Sequence, residues 1–200
     1  MDKLGAVILA AGRSSRMGSF KPMLPLGSST IIETVINKLI GAGTCELVVV
    51  VGREADRLRS HLDRYEKIRY IENRDFASTD MFYSAKMGMD ALSRTTEIHF
   101  FLPCDIPLFK PDTLEKMIYC YEETGAGIVT PVHGGKSGHP ILIKRSMVAD
   151  LLAYNGNDGL RGAIRNSGVK VETVEVDDIG VLLDADTPQD YEMIHKLAKG

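Results

Sequence analysis

Short, uninterrupted apolar runs alternate with amphipathic stretches along the chain, and this alternation restricts the fold more than any other property of the sequence. Residues 6–10 and 47–51 are wholly apolar, and glycines follow them at Gly12 and Gly52. Runs of this length suit strands buried on both faces. Residues 98–102, 127–130 and 141–143 read the same way, and 68–71 is a weaker run. Between them, Thr30 and Glu33 are spaced as a capping box. Ile32, Val35, Ile36, Leu39 and Ile40 follow at helical spacing until Gly41 to Gly43 stop the helix. Further helices are expected over 55–62, 84–92, 147–154 and 160–166, with Gly88 weakening the second. Lys110-Pro111 opens another, and Thr187-Pro188 the last. Residues 169–176 alternate apolar and polar, as an exposed or antiparallel strand does, and 181–183 reads as a short strand. Strand–helix alternation predicts an α/β fold, a mostly parallel sheet with helices on both faces. In such sheets ligands bind outside the carboxyl ends of the strands.

Two hundred residues suit one domain, 1–200. Lys+Arg is 24 against 27 Asp+Glu, which argues against a nucleic-acid binder. The three cysteines, Cys45, Cys104 and Cys120, are widely spaced and form no CxxC, so neither a disulfide framework nor a structural zinc site is expected. The first apolar run is too short to cross a bilayer, and no A-x-A cleavage site follows it. A soluble protein of the reducing cytoplasm, with no membrane partner, is the expectation.

The loop after the first strand carries the strongest chemical signal. Leu9, Ala10, Ala11 and Gly12 lead into Arg13, Ser14 and Arg16, then Gly18 and Lys21. Small residues let backbone N–H groups approach an anion, while arginine and lysine supply charge for phosphate oxygens. The glycine spacing matches neither a Walker A loop nor G-x-G-x-x-G. Composition alone also allows a solvated connection with incidental cations. Carboxylates recur at strand ends: Asp105 between Pro103 and Pro107, and Asp184 and Asp186 before Thr187. Such groups can converge on Mg2+, which takes one or two carboxylates plus water and phosphate oxygens. Singly, Asp105 also reads as a turn residue and Asp186 as a helix-entry residue.

The run Leu9-Ala10-Ala11-Gly12, then Arg16-Met17-Gly18, Lys21 and Leu24-Pro25, resembles the signature of Rossmann-like nucleotidyltransferases. It is most similar to the MobA-like NTP transferases, in their molybdenum cofactor cytidylyltransferase branch. The resemblance implies a three-layer Rossmann-like nucleotidyltransferase fold that moves an NMP group from an NTP to a phosphorylated acceptor and releases pyrophosphate. It implies Mg2+ (or Mn2+) on Asp105 with Asp184 or Asp186, and catalytic cations at Arg16 and Lys21. It places nucleotide contacts at the strand loop (Leu9 to Ser14 and Gly18), Asn73 and Ser84, and acceptor contacts at His139, Asp158 and Arg161. Ala11, where the relatives that use GTP carry a second glycine, implies CTP. Molybdopterin is the leading acceptor, with a molybdoenzyme receiving the product. A sugar 1-phosphate or other small phosphate is the second choice, and a nucleotide-binding chaperone without turnover the third. The sequence departs from the family at Asp80, Phe82 and Tyr83, where small residues are usual.

Overall fold

The computed structural model describes residues 4–12 and 17–198. An eight-stranded sheet runs through the molecule. Its first strand, β1 (Leu4–Ala10), pairs in parallel with β4 (Glu46–Val51), which pairs in parallel with β5 (Ile68–Glu72). On its other side β1 pairs in parallel with β6 (Ile98–Pro103). Beyond β6 lie β9 (Ile141–Lys144), β7 (Ile128–His133) and β10 (Val171–Glu175), in that order. Only β9 and the short β8 (Lys136–Ser137) run against the other strands of this sheet. A separate hairpin joins β2 (Pro25–Leu26) to β3 (Ser29–Thr30).

Helices cover both faces, as the alternation requires. The strands are apolar on both sides, so successive residues of β1 feed opposite cores. Ala6, Ile8 and Ala10 pack with α1 (Ile31–Gly41), α2 (Ala55–His61) and α4 (Pro111–Thr124). Val7 and Leu9 pack with α3 (Met81–Asp90), α5 (Val148–Ala153) and α6 (Gly159–Asn166). The final helix, α7 (Pro188–Leu197), closes a small satellite core around Leu26, Ile31, Ala185 and Ile194. Gly88, a weak helix former, is needed on α3: a Cβ there would lie 2.5 Å from Val7 Cγ1 and 2.8 Å from Val50 Cγ2.

Two expectations change, and an alternative left open for β10 is resolved. Residues 181–183 do not form a strand. A 3-10 turn, Ile179–Leu182, takes their place, because the Val181 carbonyl accepts from His139 N rather than from a ladder partner. The strand β10 is exposed, as its alternation suggests, but it runs parallel to β7. Helix α3 starts at Met81 rather than Ser84, because the Asp80 carboxylate accepts the Tyr83 N–H and caps it.

The chain lays β1, β4 and β5 outward in one direction, then returns to place β6 on the far side of β1. This reversal makes the carboxyl ends of β1 and β6 the topological switch point, where open α/β sheets bind ligands.

Candidate active site

The register across the switch point pairs Leu9 with Pro103, and Cys104 N donates to Leu9 O at 2.9 Å. Ala11 and Gly12, which leave β1, therefore lie beside the turn carrying Asp105. Between them opens a cleft of about 220 Å³. Leu9, Ala10, Ala11, Gly12 and Lys21 line one side, and Pro103, Cys104 and Asp105 another. Phe76, Thr79, Asp80, Met81 and Ser84 form the third wall. Arg13, Ser14 and Arg16, expected to hold phosphate, lie outside the described residues.

Lys21 sits on a short 3-10 turn, Lys21–Met23, pinned by the buried Phe20 and Pro22. Its ammonium donates to Asp105 Oδ2 at 3.1 Å and Asp186 Oδ1 at 2.7 Å. Burial acts to lower the Lys21 pKa, but the hydrogen bond to Asp186 and the charge of Asp105 outweigh it and raise it. Asp186 comes from the segment between the 3-10 turn and α7. Ala185 N donates to Asp105 O at 2.9 Å, tying that segment to the Asp105 turn. Asp184 is more exposed, and its pKa is raised by partial burial and by the Asp186 and Asp105 charges.

Two carboxylate oxygens converging on one cation-sized point are hard donors that suit Mg2+ or Mn2+. Among the described residues no three His, Cys, Asp or Glu side chains are grouped to hold a metal. That fits a metal completed by water and phosphate oxygens rather than caged by protein.

The Asp105 turn is braced from several sides, and none of the braces stands out in the sequence. Lys38, on α1, donates to Pro107 O and Phe109 O, both at 2.7 Å. Buried Asp178 accepts from Lys110 N at 2.6 Å and Thr113 Oγ1 at 2.7 Å. Its other oxygen accepts from Gly180 N at 3.0 Å. Gly180 presses so closely on the turn that a Cβ there would lie 2.3 Å from Leu108 O.

The remaining expected positions divide. Asn73 is buried, and its amide donates to Thr79 Oγ1 at 3.0 Å and Ser84 Oγ at 2.9 Å. It shapes the third wall from behind, while Ser84 reaches the cleft. Gly18, at φ 65°, borders a neighbouring recess with Arg53, Glu54 and Arg57. The His139 ring is buried near Asp105. Burial lowers its pKa, against a Phe101 backbone hydrogen bond and the Asp105 charge. Asp158 is ion-paired with Arg165, and Arg161 is exposed on α6; neither lines the cleft. Phe76, Thr79, Asp80 and Met81 were not singled out as contacts; the signal available was their place just after a strand. Burial and the Asp105 charge hold the Cys104 thiol protonated, which removes it as a nucleophile.

Comparison with known proteins agrees with this architecture. The family model described as the MobA-like NTP transferase domain matches residues 6–174. The molybdenum cofactor cytidylyltransferase of Escherichia coli (strain K12) is 30% identical over 191 residues, covering 96% of this chain and 95% of that protein. A nucleotidyl transferase from Methanothermobacter superposes with a TM-score of 0.83 at 23% identity, over 100% of this chain and 99% of its own. A manganese complex from Mycobacterium tuberculosis H37Rv superposes at 0.78 and 20% identity, over 98% of each chain. At those identities the two structures speak to the fold.

Proposed function

The chain belongs to the MobA-like NTP transferase family and is a nucleotidyltransferase; from that premise we propose that it moves CMP from CTP to a small phosphorylated acceptor, molybdopterin, with release of pyrophosphate. The observation that carries the reading is the convergence of Lys21, Asp105 and Asp186 at the mouth of the switch-point cleft. One cation for phosphate and two carboxylates for a metal meet beside a loop of small residues. An oxygen of the acceptor phosphate attacks the α-phosphorus. The bond to the β-phosphate bridging oxygen breaks, and pyrophosphate leaves with that electron pair. The acceptor is already ionised, so no general base is needed. Lys21 and the loop amides near Ala11 and Gly12 balance the developing charge. Arg13, Ser14 and Arg16 extend the phosphate loop. Asp105 and Asp186 would hold Mg2+ or Mn2+, which would supply charge neutralisation at the phosphates.

Transfer of a cytidylyl group to a molybdenum cofactor acceptor is supported by the name of the Escherichia coli relative, molybdenum cofactor cytidylyltransferase, and the divalent metal by the manganese complex of a structural neighbour. On the acceptor side, His139 lies close enough to Asp105 to feel its charge, and Asp158 and Arg161 stand outside the cleft lining. A molybdoenzyme takes up the product. The free cysteines suit the cytoplasm, and no described helix is long and apolar enough to cross a membrane.

Pyrophosphate release, measured with CTP, GTP, ATP and UTP against molybdopterin and sugar 1-phosphates, tests the reading. Release with CTP and molybdopterin is expected. A GTP preference removes the cytidylyl assignment, and release with a sugar phosphate alone removes molybdopterin.

A further inference from the structure

We infer that Lys21 makes metal binding conditional on the nucleotide: its ammonium holds the position between Asp105 and Asp186 until a triphosphate draws it away, so the metal enters with the nucleotide and not before it. The inference rests on the nucleotidyltransferase reading and adds an order of assembly to it.

The geometry supplies the argument. Both carboxylates contribute an oxygen to one ammonium, at 3.1 and 2.7 Å. The Lys21 side chain is only 11% exposed and Asp105 20%, so water screens these charges less than it would at the surface. A divalent ion that took the same two oxygens would stand within a few ångströms of the ammonium, and like charges that close repel strongly. One of them must move. The carboxylates ride on fixed backbone, since Ala185 N is bonded to Asp105 O and Gly180 is pressed against Leu108 O. The Lys21 backbone is fixed as well, by its 3-10 turn between buried Phe20 and Pro22. The lysine side chain, a point charge on a flexible four-carbon stem, is the part able to give way.

What draws it away is also in place. Lys21 lines the cleft beside Ala10, Ala11 and Gly12, where the phosphates are expected. A triphosphate there offers several anionic oxygens in exchange for the two carboxylates. Once the ammonium turns to the phosphates, Asp105 and Asp186 are open to the metal that the same phosphates carry. Linkage makes the effect reciprocal: nucleotide raises metal affinity by the factor by which metal raises nucleotide affinity. Direct coordination of phosphate oxygens couples the two ligands in any case; displacement of Lys21 adds to that coupling, and a lysine that served only as a structural counter-ion would add nothing.

The test is Mn2+ binding to the full chain, by calorimetry and by electron paramagnetic resonance of the free ion. Mn2+ is titrated alone and then with the α,β-methylene analogue of CTP, which cannot transfer CMP. In the wild type, bare Mn2+ should bind weakly and the analogue should tighten it about a hundredfold. In Lys21→Met, bare Mn2+ should bind about tenfold tighter, and the tightening by analogue, corrected for Mn2+ held by free analogue in solution, should shrink to about tenfold. Lys21→Arg should restore the wild-type pattern, and Asp105→Asn should lose Mn2+ binding in both conditions. Lys21→Gln, checked by circular dichroism, replaces Lys21→Met should the latter fail to fold. Unchanged or weaker bare Mn2+ affinity in the folded Lys21 variant overturns the inference. So does a wild type that binds bare Mn2+ as tightly as it does with analogue. Failure of the functional reading looks different, because the wild type then binds no analogue at all.

Discussion

Asp105 and His99 lie on the same strand-and-turn segment and show how differently a single polar residue can be used. Asp105 faces the cleft and shares Lys21 with Asp186. Asp105→Asn keeps the shape and removes the charge. Pyrophosphate release should fall by more than the roughly 10–100-fold typical of losing an outer partner of a metal ligand, with an unchanged thermal melt. Near-normal turnover at saturating Mg2+ would exclude Asp105 as a metal ligand. His99 faces the interior of β6, fully buried, with neither ring nitrogen hydrogen-bonded among the described residues. Burial, helped by the Arg145 charge, lowers its pKa to about 3. The unfolded chain therefore binds a proton near pH 6.5 that the folded chain refuses until about pH 3. The stability associated with neutral His99 is present above about pH 6.5 and is lost as the pH falls toward 3. His99→Leu should remove that acid slope and, by replacing an unsatisfied polar ring, add about 1 kcal/mol at pH 7. Urea titrations at pH 4.5 and 7 would show both effects, and an unchanged slope would place the acid sensitivity elsewhere.

Among the elements, two glycines permit close approaches with separable consequences. Gly88 lets α3 lie on β1 and β4, while Gly180 lets the 3-10 turn before Asp186 lie on the Asp105 turn. Alanine at either forces overpacking, which typically costs about 1–3 kcal/mol. The clash at Gly88 is with two valine side chains in a core, whereas at Gly180 it is with backbone that carries a site residue. Gly88→Ala should lose stability yet keep pyrophosphate release per folded molecule. Gly180→Ala should lose both, since it pushes Asp186 away from Asp105. Equal activity in the two variants would show that the contact serves stability alone.

For the whole molecule, the site is a seam between distant parts of the chain, so ligands that bridge it should stabilise the fold. A ligand at a hundred times its Kd adds about 2.7 kcal/mol. Each kcal/mol raises Tm by about 2–4 °C at this chain length. CTP with Mg2+ should therefore raise the melting temperature by about 5–10 °C. CTP without metal should do less, and the metal-dependent part should vanish in Asp105→Asn. Scanning fluorimetry would read this directly, and an equal shift with and without metal would contradict a metal at the seam.

Local features follow from the chain alone. Continuous apolar runs identify the buried strands, because a strand covered on both faces cannot afford polar residues. Thr30 with Glu33 and Thr187 with Asp190 box the starts of α1 and α7, as hydroxyl and carboxylate reach backbone amides within one turn. The β1 loop announces its chemistry through small residues and charge. Tertiary structure decided what depends on neighbours far along the chain. The apolar run 181–183 becomes a 3-10 turn because Asp178 accepts from Gly180 N within the turn, while Asp178 and Val181 O accept from the distant Lys110 N and His139 N. Alternation in β10 reveals an exposed face, but the path of the chain through α5 and α6 decides its direction. The structure brings Asp186 rather than Asp184 onto Lys21, across 165 residues. Spacing carries no such information, because the order of strands in the sheet decides which ends meet.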